Sequence, residues 1–254
     1  MERVDPVEAW LAALDERHRA DLDFKELRRG IQALSSLYVE RRDRLRSAGG
    51  PLRGAGKRAA FAAFFGPLHF LTVRRVVREL GAASPAPSRI LDLGCGTGAA
   101  GAAWALEAGA RADVLGYDVS SWVLEEARWT YQTLGIRGRA RRGDLERVRL
   151  PGGGGSILLA FTVNELEFAQ RPPLLRRLLV SARRGSGLLV VEPISRRVAP
   201  WWRDWSDAVC DAGGRSDEWR FTETLPASIQ RLDRAAGLDH GTLTARSLWI
   251  PPTP

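Results

Sequence analysis

Residues 90–99 read Ile90-Leu91-Asp92-Leu93-Gly94-Cys95-Gly96-Thr97-Gly98-Ala99: an apolar strand, a glycine-rich turn and the start of an alanine-rich helix. Glycine lets a backbone turn sharply and approach a ligand closely, and the first turn of a helix presents N–H groups without intrahelical partners. A ligand is therefore expected at the end of this strand. Taken alone the loop has two readings, because Gly94, Gly96 and Ala99 also satisfy the relaxed dinucleotide fingerprint, in which the helix holds a pyrophosphate. Asp92 separates them. A carboxylate two residues before the first glycine repels a pyrophosphate and attracts a cation.

Two further acids lie downstream at comparable places. Asp118 ends the strand Val114-Leu115-Gly116-Tyr117, where a carboxylate can accept hydrogen bonds from both hydroxyls of a ribose. Asp144 follows Gly143 at the end of a third strand, placed to meet an adenine amino group. S-adenosylmethionine is a nucleoside with an ammonium and a sulfonium and no phosphate, which suits this set. A lone aspartate in such a place is as often a turn or N-cap residue. Three at successive strand ends form a constellation and make S-adenosylmethionine the expected cofactor.

Around these strands, short apolar stretches alternate with helical ones from residue 89 onward, which argues for a parallel sheet covered by helices on both faces, an α/β doubly wound fold. The first 80 residues differ. Val7–Leu14, Phe24–Arg46 and Lys57–Leu80 carry apolar residues at helical spacing, with Ile31, Leu34, Leu37, Tyr38 and Leu45 in one stripe. Glycines and Pro51 in residues 47–56 break the helices, and a second break at 81–88 contains Pro85 and Pro87. The expected division is thus a helical region 1–80 that covers the pocket mouth and selects the acceptor, a linker 81–88, and a cofactor-binding domain 89–254.

Composition narrows the class. The 254 residues are 44% apolar and 27% charged, as in ordinary globular proteins. Two distant cysteines, Cys95 and Cys210, and three scattered histidines give neither a disulfide scaffold nor metal-ligand spacing. The most apolar stretch, Ala59–Val73, is interrupted by Gly66, Pro67 and His69 and falls short of the roughly 20 residues that span a bilayer. The first residues lack an apolar signal core, so no membrane partner and a cytoplasmic location are expected. Net charge is +8, from 38 basic and 30 acidic residues, and Lys25 and Lys57 are the only lysines. An arginine bias has a bland genomic reading, but its net positive sign favours a polyanionic partner.

Over Arg89–Ile250 the chain resembles the class I S-adenosylmethionine-dependent methyltransferases. The resemblance implies a seven-stranded Rossmann-like sheet with its last strand antiparallel and, here, abbreviated within Ser247–Pro251. It implies that Val119 packs on adenine and that the backbone of Gly94, Cys95, Gly96 and Gly98 faces the methionine part. Phe161, at the end of the fourth strand, is counted with the cofactor-binding residues. Asn164 and Glu165, just beyond, are the polar groups nearest the expected methyl position and are the candidate catalytic pair. Glu165 also reads as a first-turn acid favoured by the helix dipole, and His69, in an aromatic helix, reads as a core histidine.

The turn Thr162-Val163-Asn164-Glu165-Leu166-Glu167 has no Asn/Asp-Pro-Pro-aromatic element, so exocyclic-amine methylation is not signalled. Carbon-5 pyrimidine methylation needs a nucleophilic thiolate, and neither Cys95 nor Cys210 lies in a matching motif. A narrower similarity runs through Leu34–Arg42, Ala62–Leu80, Leu91–Ala105, Val163–Leu166 and Val190–Pro193. These segments together resemble the methyltransferase-like assembly factors of the mitochondrial small ribosomal subunit and their bacterial relatives. Mitochondrial members hold an iron–sulfur cluster on a cysteine set; with Cys210 alone after the fifth strand, no cluster is expected here. The resemblance implies a ribosome-associated, RNA-binding enzyme that methylates ribosomal RNA or works on the small subunit. Two basic groups suit that partner: Arg41, Arg42, Arg44, Arg46, Arg53, Lys57 and Arg58, and Arg137, Arg139, Arg141 and Arg142. A small-molecule methyltransferase and a non-catalytic, cofactor-binding assembly factor are the alternatives. Trp201–Phe221 reads as an aromatic insertion beside the pocket, a lid helix anchored by tryptophans.

Overall fold

The computed structural model of the chain describes residues 5–19, 23–40, 52, 54–194 and 200–253. Two compact units are drawn from it, residues 69–220 with 244–254, and residues 1–68 with 221–243. The first holds most of a seven-stranded sheet: β1 (Arg89–Leu93), β2 (Asp113–Asp118), β3 (Gly138–Arg142), β4 (Ser156–Ala160), β5 (Gly187–Glu192), β6 (Arg215–Thr222) and β7 (Thr242–Ile250). The order is β3-β2-β1-β4-β5-β7-β6, with the first five strands parallel and β7 antiparallel to β5. Strand order reverses between β1 and β4, and ligands of such sheets gather at the carboxyl ends there.

Period-two alternation explains how the sheet takes helices on both faces. Leu91 and Leu93, Ile157 and Leu159, Leu188 and Val190, and Leu248 and Ile250 point to one face. There they pack on Leu174 and Leu178 of α7 (Arg171–Arg183) and on Trp205 and Val209 of α8 (Trp202–Asp211), with Trp201 just before it. Each such side chain withdrawn from water contributes about 1.5–3 kcal/mol before entropy is counted. The intervening residues of β1, Ile90 and Asp92, face α5 (Ala99–Glu107), whose Gly101 N–H meets Asp92. α6 (Ser121–Thr133) packs on β2 and β3, where Arg128 donates twice to the carbonyl of Ala140.

Three expectations are corrected here. The last strand is not abbreviated: β7 covers nine residues, pairing with β5 over Arg246–Ile250 and lying beside β6, with Leu243 and Ala245 buried ahead of that ladder. The segment Trp201–Phe221 is not a lid helix alone, since β6 follows α8 and is the sixth strand of the sheet. The apolar stretch 59–73 is not interrupted. A single helical run, Ala55–Glu79, is 25 residues long and apolar enough to cross a membrane by length and composition, and its most apolar window is 78% buried inside the protein. It passes Pro67 through a π-turn at Phe61–Phe65, closed by the Gly66 N–H on the carbonyl of Phe61. The wider turn leaves room for a residue that has no N–H and whose ring would otherwise strike the preceding turn.

The second unit is helical. α1 (Pro6–Arg19), α2 (Phe24–Glu40) and α3 (Ala55–Ala60) are joined by α9 (Ala227–Ala236), from the far end of the chain. Leu27, Ile31 and Leu34 of α2 are buried, as are Ile229, Leu232 and Ala236 of α9. Gln32 donates to the carbonyl of Ala236, and Arg231 lies over the Phe24 ring. A Cβ at Gly30 would run into the carbonyl of Gly56, so only glycine lets α2 come this close to α3. Arg41, Arg42, Arg44, Leu45, Arg46 and Arg53, and the side chains of Leu37 and Tyr38, lie outside the described residues.

Candidate active site

The loop after β1 is held by backbone bonds to the next strand. The amides of Gly94 and Cys95 both donate to the carbonyl of Tyr117, at 2.8 and 3.0 Å, and Gly98 donates to Cys95 at 2.8 Å. Gly94 and Gly98 have φ of 71° and 78°, which any side chain would strain, and a Cβ at Gly94 would strike Thr162. Glycine is thus required at the two ends of the turn by conformation and by contact.

Asp92 and Asp118 come together around this loop. Asp92 is 1% exposed; Oδ2 accepts the Gly101 amide at 3.1 Å and Oδ1 has no hydrogen-bond partner among the described residues. Burial raises its pKa to about 7, the nearby charge of Asp118 adds to the rise, and the Gly101 bond opposes it. Sealed from solvent, this carboxylate can reach its surroundings only through its charge, and a nearby cation is the species that would relieve its raised pKa. Asp118 is more open. Its oxygens accept the amides of Gly96 at 3.1 Å and Ser120 at 3.0 Å, and burial again raises its pKa against those bonds. Next to it, Val119 is 64% exposed, an apolar surface beside a polar anchor.

Asp144 is set apart. Gly143 donates to the Asp118 carbonyl at 3.0 Å, which brings the end of β3 to the end of β2, but the Asp144 side chain is exposed and caps its own turn through the Glu146 amide at 3.0 Å. Cys95 is buried, and burial, with the charges of Asp92 and Asp118, pushes its thiol well above the ordinary range. A thiol held neutral in this way is no nucleophile.

The end of β4 carries a polar network that the sequence does not reveal. Glu192, the fully buried last residue of β5, accepts the amides of Val163 at 2.7 Å and Asn164 at 3.3 Å, and also the Asn164 side-chain amide. Asn164 Oδ1 accepts the indole N–H of Trp201 at 2.9 Å. Arg171 donates to the carbonyls of Val163, Asn164 and Leu166 and lies over the Trp201 ring. Both ends of the Asn164 amide are thus engaged by protein, while Glu165 is exposed on the same turn. The available signal is an acid closing the otherwise apolar Gly187-Leu188-Leu189-Val190-Val191-Glu192. Phe161, between β4 and this turn, has φ of 57° and stacks on His69, with ring centroids 3.9 Å apart and planes at 14°.

In the second basic group Arg137, Arg139, Arg141 and Arg142 are all exposed, the last three on edge strand β3. Of the first group, Lys57 and Arg58 lie in α3, and Arg58 donates to the Leu52 carbonyl.

A buried acid without phosphate-binding partners, a second acid at the next strand end and an exposed valine beside it fit a cationic nucleoside cofactor. Residues 90–185 match the family described as a methyltransferase domain. Among solved structures, a candidate O-methyltransferase from Nostoc punctiforme PCC 73102 is similar at a TM-score of 0.57 and 16% identity, covering 87% of this chain and 72% of that one. The S-adenosylmethionine-dependent methyltransferase SibL in its apo form is similar at a TM-score of 0.52 and 16% identity, covering 96% of this chain and 74% of that one. At such identities the likeness carries the fold. No curated protein matches the sequence significantly. Over residues 90–185 the chain thus carries a methyltransferase domain.

Proposed function

We propose that this S-adenosylmethionine-dependent methyltransferase acts on RNA, with the RNA of the small ribosomal subunit as acceptor. The observation that carries the reading is the register of β3 against β2: Arg141 is the partner of Tyr117 and Arg142 the partner of Asp118. Exposed arginines of β3 therefore lie beside the strand end that carries the carboxylate proposed for the cofactor's ribose, Arg142 on the face of Asp118 and Arg139 and Arg141 on the opposite face. Guanidinium groups fork onto phosphate oxygens, and contacts of that kind position a nucleic acid without reading its sequence. The net charge of +8 favours the same partner over a neutral metabolite.

Within the site, Asp118 takes the ribose hydroxyls, Val119 lies against adenine, Asp144 reaches the adenine amino group, and the Gly94–Gly98 backbone faces the methionine part. Cys95 contributes its backbone there, and Phe161 bounds the methyl end. Asn164 is a positioning residue, fixing the turn that carries Glu165 toward the acceptor side.

The test incubates the protein and methyl-labelled S-adenosylmethionine with small ribosomal subunits, total RNA and a metabolite extract, all from a strain lacking the gene. Label in subunit RNA is the expected result. Label confined to small molecules overturns the acceptor, and salt-sensitive subunit binding without label makes the protein a non-catalytic assembly factor.

A further inference from the structure

We propose that one buried water molecule is a built part of the cofactor site, held beneath the glycine loop between Asp92 Oδ1 and the hydroxyl of Tyr131, and that Tyr131 is the positioning residue that keeps it there. The water's role, though not its presence, rests on reading this strand end as the site of a cationic cofactor.

Tyr131, in α6, is 1% exposed, and three glycines make room for its ring. A Cβ at Gly98, in the loop, would lie 2.8 Å from Cε1; one at Gly116, in β2, would lie 2.9 Å from Oη; and one at Gly138, in β3, would strike Cδ2. The ring is therefore fixed between the loop and two strands, with its hydroxyl over Gly116. Asp92 faces the same spot. It is the partner of Gly116 across β1 and β2, and partners on neighbouring parallel strands carry their side chains on one face, about 4.8 Å apart. Asp92 Oδ1 and Tyr131 Oη are both buried, and neither has a hydrogen-bond partner among the described residues. The Cys95 thiol, 2.7 Å from the same Cβ position, donates instead to the Gly96 carbonyl at 3.7 Å. Buried polar atoms are nearly always paired, and an internal water is the usual means where protein groups do not reach each other.

A water also suits the chemistry of the acid. Burial raises the pKa of Asp92 to about 7, so it exchanges its proton near neutrality. Protonated, the carboxyl group donates; ionised, it only accepts. Burial, with the charges of Cys95 and Asp92, pushes the Tyr131 phenol well above its ordinary range, so the hydroxyl keeps its proton there. A water and a hydroxyl can each turn their hydrogens, so the chain from Tyr131 through water to Asp92 serves either form without moving a heavy atom. Beneath a bound cation the phenol donates to the water and the water to Oδ1. The charged and titratable groups acting on this cluster are Asp118 from β2, Cys95 from the loop and Arg128 from α6. α5 and β4 bring Gly101 and Leu158 beside Asp92.

The experiment first reads the protein without cofactor. A high-resolution crystal structure should show one water within about 2.6–3.2 Å of both oxygens, and a direct bond between them, or no water, overturns the proposal. NMR of 13C-labelled protein then follows the Asp92 carboxyl carbon, identified by its loss in Asp92→Asn. Tyr131→Phe keeps the ring that the glycines enclose and removes the hydroxyl, so the titration of Asp92 should move up by about one pH unit. In calorimetry at pH 7 the same variant should bind S-adenosylmethionine about five-fold more weakly, and the two proteins should converge as the pH rises. An unmoved Asp92 titration, or a deficit equal at every pH, overturns the role of Tyr131. Cofactor binding by a wild-type protein that lacks the water overturns this proposal alone, whereas failure of the wild type to bind overturns the cofactor reading whatever the crystal shows.

Discussion

The carboxylate of Glu192 gathers both the backbone amide and the side-chain amide of Asn164, joining the end of β5 to the turn after β4 through a single buried acid. An acceptor-only group satisfies these donors, and a neutral amide in its place would set N–H against N–H. Glu192→Gln should therefore destabilise the protein by about 1–3 kcal/mol in urea unfolding. Its methyl transfer should fall while the affinity for S-adenosylhomocysteine stays near wild type. Unchanged stability would show that the turn is held by other means.

Asp118→Ala should weaken S-adenosylmethionine binding by roughly 1.5–3 kcal/mol through lost charge-assisted hydrogen bonds. The Gly96 and Ser120 amides lose their acceptor in the same variant. Asp118→Asn, which keeps one acceptor, should lose less. Calorimetry with the cofactor and its demethylated product checks both, and equal affinities across the series would remove Asp118 from the site.

Asp92 makes stability depend on pH in the direction opposite to a salt-bridged acid. Its folded pKa of about 7 lies above the ordinary value of 3.8, so between these the folded state holds a proton that the unfolded state has released. Stability from this source is complete below about pH 4 and is lost as pH rises through about 7, by at most about 4 kcal/mol. Asp92→Asn should flatten that slope in unfolding measured at pH 5 and pH 8. A cation bound nearby favours the ionised carboxylate, so cofactor binding near pH 7 should release protons. Calorimetry in two buffers of different ionisation enthalpy reads that release, and proton uptake would contradict the assignment.

Replacing Arg139 and Arg141 together by alanine should weaken RNA binding and reduce the slope of log affinity against log salt by roughly one unit for each phosphate that is no longer neutralised. Cofactor affinity, measured on the same samples, should not change. An unaltered salt slope would mean that these arginines only guard the free edge of the sheet.

The features legible in the sequence are those whose signal is local. The run from Ile90 to Ala99 announces strand, turn and helix by composition, and Asp118 closes an apolar strand in plain view. β6 leaves little trace because an edge strand has one wetted face: Arg215-Ser216-Asp217-Glu218 reads as loop, although Trp219 donates to Ser247 and Phe221 is buried. The pairing of Glu192 with Asn164 joins residues far apart in the chain, and no periodicity reports it. Asp92 is legible as a charge, whereas its burial under the loop depends on Gly101 and the strand beyond. The helical spacing of Lys57–Leu80 is legible through Pro67, whereas the π-turn at Phe61–Phe65 leaves no compositional mark.

The return of α9 to α2 has a consequence for biosynthesis. A ribosome releases Leu27, Ile31 and Leu34 long before Ile229 and Leu232, with all the strands through β6 translated in between. At ordinary elongation speed that interval is roughly 10 s or more. For that time the nascent α2 lacks its neighbour α9, and the helical unit cannot close until residues 227–236 have been made.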